Sequence, residues 1–223
     1  MLPDGALLPT LLTLKVASLA TLFAFVCGIA IAFVLARREF VGKEGLDALL
    51  TLPMVLPPTV LGYYLVVLFG RNGWIGHWLD GQFGYSLIFT WQGAVVAAAI
   101  VSLPLILKSA RAAYEGVDRN YEDAARTLGQ SEFAIFVRVT FPLAWRGILA
   151  GTLLGFARAM GEFGATLMIA GNLPGKTQTL SLAIYDAVQA GEDALANSLV
   201  LITSIVCIVI LASSSRVLKS RYA

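Results

Sequence analysis

The sequence predicts an all-α integral membrane protein with about five transmembrane helices. Three observations carry that expectation. The first is composition: of 223 residues, 58% are hydrophobic and 13% charged, and the mean hydropathy is +0.79. Soluble domains are about 45–50% apolar and about 25% charged. A domain of this size hides roughly 70% of its chain's surface, so much of the apolar excess must meet lipid. The second is the recurrence of uncharged runs close to the ~20 residues that cross a bilayer. The third is that basic residues cluster on alternate connecting segments. Together they exclude disorder, a disulfide scaffold and an ordinary soluble enzyme. A net charge of +2 is too small to point to nucleic acid. Cys27 and Cys207 sit in apolar runs and read as small hydrophobes. With a single histidine, His77, no metal site and no cofactor are expected.

The spans follow in order, within one transmembrane domain covering the whole chain. The first is expected over 16–36 and the second over 48–70, with Pro53, Pro57 and Pro58 inside it. The third covers 85–107, the fourth 147–170 with Arg158 and Glu162, and the fifth 194–215. The stretch 177–190 is too short for a sixth and contains Asp186. Segments after the first, third and fifth spans hold Arg37, Arg38, Lys43, Lys108, Arg111, Arg119, Arg126, Arg138, Arg146, Arg216, Lys219 and Arg221. The opposite segments hold Arg71 and Lys176, with Lys15 at a boundary. The positive-inside rule then puts the N-terminus outside and the C-terminus in the cytoplasm. The first span does not read as a cleaved signal peptide, because its basic flank follows it. The outer segments carry Asp4, Asp80, Asp186, Glu192 and Asp193. Such a face does not steer free anions inward, so an anionic cargo would need a carrier.

The segment 108–146 is the longest one inside. Asn120 is placed to cap a short helix, with Glu122 and Asp123 in a first turn where the helix dipole favours them. Gly129 suits the left-handed position beyond its end. Tyr121, Ala124, Ala125 and Leu128 fall at i, i+3, i+4 and i+7 and share one face. A helix of about two turns is not stable alone in water, so this face must dock. It either packs on the protein's own helix ends or enters a groove on a soluble partner. Ser131 can cap a further helix, and Pro142 marks the entry to the fourth span.

Within the spans, Arg158 and Glu162 are four apart and share a helix face. Arg158 lies about 18 Å beyond Arg146 along an ideal helix. Ionisable groups at that depth face protein or a wet cavity. The pair is either a structural ion pair or a source of positive potential along an anion pathway. Gly147, Gly151 and Gly155 form a small-residue row that lets helix backbones approach, within the subunit or across a dimer axis. Pro57 and Pro58 remove amide donors. The break they cause either shapes packing or forms a gate or lining, with Thr59 supplying a hydroxyl. The stretch 170–177, AGNLPGKT, resembles a phosphate-binding loop, but Ala170 replaces its first glycine, Pro174 intrudes and no strand precedes it. It reads as an outer turn, so the chain is expected to have no nucleotide site of its own.

Asp123, Ala124 and Ala125, then Gly129 after three residues, then Val139, Phe141 and Pro142 after nine more, resemble the EAA loop of ABC importer permeases. That family writes Glu-Ala-Ala, three residues, Gly, nine residues, then Ile-x-Leu-Pro. Asp for Glu, Val for Ile and Phe for Leu are departures that keep charge or apolar character. The stretches 157–166 (ARAMGEFGAT), 170–179 (AGNLPGKTQT) and 52–63 (LPMVLPPTVLGY) resemble the molybdate branch of the family, with sulfate and tungstate permeases as near relatives. The resemblance implies a subunit of the bacterial cytoplasmic membrane that moves molybdate or a similar tetrahedral oxyanion. It would be paired with a second permease subunit, two cytoplasmic ATP-binding subunits and an external oxyanion-binding protein. It also implies that Tyr121, Asp123, Ala124, Ala125, Leu128 and Gly129 contact the ATP-binding subunit. A stand-alone channel or ion-coupled transporter leaves the Tyr121–Leu128 face unexplained. A membrane enzyme built on Glu162 lacks a nucleophile, a metal cluster and a second carboxylate at that depth.

Overall fold

In the computed structural model, residues 5–219 are described, with side chains as far as residue 213. Eleven α-helices and one π-helical turn follow one another, and no strand occurs among the described residues. They are α1 (Leu7–Arg37), α2 (Lys43–Val55), α3 (Pro58–Phe69), α4 (Trp74–Phe83), α5 (Trp91–Glu115), α6 (Arg119–Thr127) and α7 (Glu132–Ile135). The π turn Phe136–Thr140 leads into α8 (Phe141–Met160), followed by α9 (Gly164–Ala170), α10 (Leu180–Ala190) and α11 (Asp193–Lys219). Four helical stretches are long and apolar enough to cross a membrane, and the bent α2–α3 pair would be a fifth if it crosses as one span and does not re-enter.

The most buried of these stretches is α5, with 61% of its apolar window inside the protein, against 11% for α11. α1, α2, α8 and α9 pack on it, while α3 packs on α9 and α11 on α8 and α10. α1 runs parallel to α5: Lys15 lies over Trp91, Gly28 meets Leu103 and Ile106, and Phe33 meets Tyr114 edge-on. α8 runs antiparallel. A Cβ on Gly147 would stand 2.7 Å from Ala113 Cβ, one on Gly155 2.5 Å from Ile106 Cγ1, and one on Gly151 would overlap Ser109. The glycine row therefore seats α8 on α5 within the subunit, which settles its role in favour of the internal contact. The two ends of the bundle differ in charge. Arg37, Arg38, Arg111, Arg119, Arg126, Arg138 and Arg146 mark a basic end. The starts of α1, α5 and α11 mark the other, where Leu180 N–H donates to Thr13 Oγ1 at 2.7 Å and ties α10 to α1. Asp4 and Arg221 lie outside the described residues.

Several expected boundaries differ. α1 begins at Leu7 and not at residue 16. Lys15 does not interrupt it, because its Nζ rests 3.5 Å from the Trp91 ring centroid, where the quadrupole of the indole attracts it. α5 starts at Trp91 and not at residue 85. Thr90 caps it by accepting from Gly93 N–H, and Phe89, at φ 59°, turns the preceding loop so that its own N–H donates to Ile169 O. The region of the second span is no simple kink: α2 and α3 are bent by 114°. Pro57 and Pro58 remove two donors where the ladder would continue, and Pro58 opens α3 with its ring at the helix start. The region of the fourth span is also broken. α8 ends at Met160, and α9 begins only at Gly164. α10, at 11 residues, is short of a crossing.

Candidate functional site

The connection at the basic end is built from α6, α7 and the π turn. Asp118, not Asn120, caps α6: Asp118 Oδ1 accepts from Asn120 N–H at 2.9 Å, so the helix starts at Arg119. At its other end Gly129 has φ +75°. Gln130 N–H donates to Ala125 O at 3.2 Å and Gly129 N–H to Arg126 O at 2.9 Å. This pair of bonds is a Schellman closure, which satisfies carbonyls that the helix end would otherwise orphan. Ser131 then caps α7 by accepting from Ala134 N–H. Arg126 staples the two helices. Its Nε and Nη2 reach the Glu132 carboxylate at 2.7 and 3.0 Å, and its Nη1 reaches Asp123 at 2.6 Å. Those hydrogen bonds, from Glu132 first and Asp123 second, hold the Arg126 guanidinium above its ordinary pKa.

The face that the spacing singled out points away from the bundle. Tyr121 is 60% and Leu128 79% exposed, and Asp123, Ala124 and Gly129 are exposed too, with Ala125 partly covered. Of the two docking readings, packing on the subunit's own helix ends is not the arrangement found. Phe133 on α7 is exposed as well, at 76%. Tyr121 also rims a pocket of about 270 Å³ formed with Val117, Leu143 and Gly147, between the end of α5 and the start of α8.

Sequence reasoning missed the side chain that turns α6 this way. Glu122 is the residue of α6 that is buried, at 3% exposure. Its Oε1 accepts from Arg37 Nη2 at 2.7 Å, Arg37 Nε at 3.0 Å and Thr140 Oγ1 at 2.8 Å. Next to Asp123 in a polar first turn it looks like a solvated dipole partner. Periodicity gave no signal for it: Glu122 falls to the side of the apolar face, and Asp123 and Arg126, which lie more nearly opposite that face, are exposed.

Deeper in the bundle, the structure brings Arg158 and Glu162 together, Nη1 to Oε2, at 2.9 Å. Glu162 is buried, and its Oε1 accepts from Ala165 N–H at 2.9 Å, holding the start of α9. Arg158 retains 36% side-chain exposure. The two helix breaks touch: a Cβ on Gly164 would stand 2.7 Å from Pro58 Cβ, and one on Gly62 2.7 Å from Met168 Cβ. Pro57, Pro58 and Thr59 thus lie beside the Glu162–Gly164 break, although sequence gave no sign that the two regions meet. The stretch 170–177 closes on itself. Leu173 O accepts from Lys176, Thr177 and Gln178 N–H, and the buried Thr177 hydroxyl accepts from Leu173 N–H. The amides of Leu173, Lys176 and Thr177 are thereby engaged within the turn itself.

A helical bundle with this exposed, doubly capped helix at its basic end matches one family model, that of the binding-protein-dependent transport system inner membrane component, over residues 24–221. The chain belongs to that family. It is a multi-pass transport subunit of the bacterial inner membrane. Among the relatives of this transport component is the molybdenum transport system permease protein ModB of Escherichia coli K12, 46% identical over 96% of this chain and 94% of that protein. A putative molybdenum transport system permease protein of Bacillus subtilis is 41% identical over 92% and 88%. The sulfate transport system permease protein CysT of Escherichia coli is 40% identical over 79% of this chain and 64% of its own length. Solved structures share the fold. A chain of an inward-facing MetNI methionine ABC transporter superposes with TM-score 0.69 at 16% identity, covering 98% of this chain and 95% of that one. A chain of a bacterial alginate ABC transporter superposes with TM-score 0.76 at 14% identity, covering 95% and 77%.

Proposed function

We propose that this permease imports molybdate, or a closely similar tetrahedral oxyanion, as one of two copies working with two ATP-binding subunits and an external oxyanion-binding protein. The observation that carries the ATP-driven reading is the exposed α6 face. Tyr121, Ala124 and Leu128 form an apolar strip on a helix too short to stand alone, and a groove on a soluble partner covers it best. The basic end then faces the cytoplasm, in keeping with the positive-inside rule. Asp123, Ala125 and Gly129 complete the contact: Gly129 ends the helix, and Asp123 keeps Arg126 directed at α7. ATP is hydrolysed by the partner. Closure of the ATP-binding subunits pushes the docked helix and turns the pathway from inward- to outward-facing.

Molybdate is favoured over sulfate because a molybdenum permease is similar over 96% of this chain and a sulfate permease over 79%. For the pathway we assign Arg158, Glu162, Pro57, Pro58 and Thr59. An ionised guanidinium at this depth is costly against lipid. The partial exposure of Arg158 on a single copy therefore fits a surface that lines a wet cavity or meets a second copy. Glu162 fixes its direction while leaving cationic character for a passing dianion. The deciding experiment is ATPase activity of the reconstituted complex with its binding protein, loaded in turn with molybdate, tungstate and sulfate. Stimulation by molybdate above sulfate is expected, and equal stimulation by sulfate overturns the molybdate assignment.

A further inference from the structure

α6 touches the rest of the subunit through very little. It packs chiefly on α7 and the π turn, and of its nine residues Glu122 is the one buried. Its entry runs through Gly116 and Val117 and its exit through Gly129, so neither connection is stiff in itself. Beyond the Arg126–Glu132 staple to α7, few contacts are available to carry a push on α6 to the membrane helices.

We propose that Glu122 is a positioning residue for coupling: with Arg37 and Thr140 it locks α6 to the end of α1 and to the π turn, so that displacement of α6 is transmitted to the membrane helices. Each part of the geometry serves this. One carboxylate oxygen takes three donors, two from Arg37 on α1 and one from Thr140 at the mouth of α8. Charge-assisted bonds of this kind are short and directional; an apolar contact in their place could slide. Arg37 also donates from Nη2 to Val117 O at 3.3 Å, pinning the linker as well as the helix it leads to. The set is largely buried, with the Arg37 side chain 10% and the Glu122 side chain 4% exposed, in the wall of a cavity of about 380 Å³. The π turn has its own part. Wide turns of this type are rare and cluster at functional positions, and here the turn ends on Thr140, whose hydroxyl completes the set. α1 and α8 are thereby driven together from one point. Both pack along α5, so the two helices that flank the axis receive the same displacement.

The inference rests on the ATP-driven reading above, and its test separates the two. Glu122→Ala and the milder Thr140→Val are compared with the parent complex in proteoliposomes for co-purification with the ATP-binding subunit, ATP hydrolysis and uptake. Hydrogen–deuterium exchange of α6 amides is measured in parallel on the permease alone. Both variants should still capture the ATP-binding subunit, because the exposed face is untouched. Uptake per ATP hydrolysed should fall about tenfold in Glu122→Ala, a typical size for a coupling between sites, and by less in Thr140→Val. Exchange in α6 of Glu122→Ala should rise about tenfold, as expected when a charged buried hydrogen bond is lost. Unchanged uptake per ATP in both variants overturns the proposal. So does parent-like exchange in α6, or loss of ATP-binding-subunit capture by both variants, which would make Glu122 a docking or folding residue. A parent complex with no ATP-dependent uptake refutes the ATP-driven reading instead, and the exchange measurement still decides the lock.

Discussion

At the scale of single residues, Glu162 and Arg158 carry unequal loads although they form one ion pair. Glu162 is buried and serves two partners, the guanidinium and the Ala165 amide. Arg158 is partly exposed and serves one. Removing Glu162 leaves a cation without its counter-charge and an orphaned N–H at the start of α9. Glu162→Ala is therefore expected to destabilise the inserted protein by about 1–3 kcal/mol, mainly the cost of the orphaned Ala165 N–H, because the exposed side of Arg158 weakens the pair's own share. Arg158→Ala should cost less stability and more transport, since only the guanidinium offsets the charge of a passing dianion. Thermal denaturation of the detergent-solubilised variants, set beside uptake, checks the ordering; a larger stability loss for Arg158→Ala contradicts it. The pair itself was legible in the sequence, because four-residue spacing puts both groups on one face. The capping of α9 was not. The run 147–170 is apolar enough to read as one helix, and the break after Met160 is marked by Gly161 and Gly164 alone, a residue type that membrane helices also carry in their interiors.

Helices pack by what their smallest residues permit. Gly164 lies against the Pro58 ring, with no flexible side-chain end to give way. Gly164→Val should therefore part α3 from α9 and cost about 1–3 kcal/mol, as overpacking does. A melting temperature equal to the parent's would show that the breaks do not bear on each other. α6 offers the opposite case. Leu128 is exposed, so Leu128→Asp should change the stability of the isolated permease by no more than about 0.5 kcal/mol. Its cost should appear as lost capture of the ATP-binding subunit, about 2 kcal/mol or more if Leu128 anchors the contact. Gly129→Val opposes a left-handed backbone by about 1 kcal/mol or more and should weaken capture in the same assay. Full capture by both variants removes the docking face from the account. This helix was the most legible element in the chain, because its glycine, its apolar spacing and its acidic turn agree. Its cap was misplaced by two residues because Asp118 and Asn120 are both good capping types, and Asp118 accepts from the amide of Asn120 itself. Glu122 stayed hidden for another reason. Its partners Arg37 and Thr140 are 85 and 18 residues away, and no local pattern links them.

Across the whole molecule, the exposed apolar side chains are unevenly placed. α2 has no buried residue, and Leu49, Met54, Val55, Tyr63, Tyr64 and Val67 leave the α2–α3 limb largely uncovered. In a bilayer that limb meets lipid or a second copy. The orientation predicted from charge is checked with reporters: one fused after Ala223 should be active only in the cytoplasm, and one near Gly81 only outside. An external signal from the C-terminal fusion would invert the assignment of every connecting segment, α6 included. The sequence exposed the class of fold at this scale because hydropathy and basic flanks are integrated over many residues. It could not expose the 114° bend, since Pro57 and Pro58 announce an interruption without its angle.

The contact between the two interruptions has a mechanical consequence. α1 and α5 run as single helices over 31 and 25 residues, α5 with one ladder bond missing at Pro104, and packed side by side they form a spine. Beside it, α3 and α9 are short struts, each cut off from the helix before it at the level where Pro58 meets Gly164. That seam interrupts two backbone ladders at one level. The struts lean on each other there, so on the pathway proposed above, opening beside Arg158 would be a rotation of this small block against the α1–α5 post.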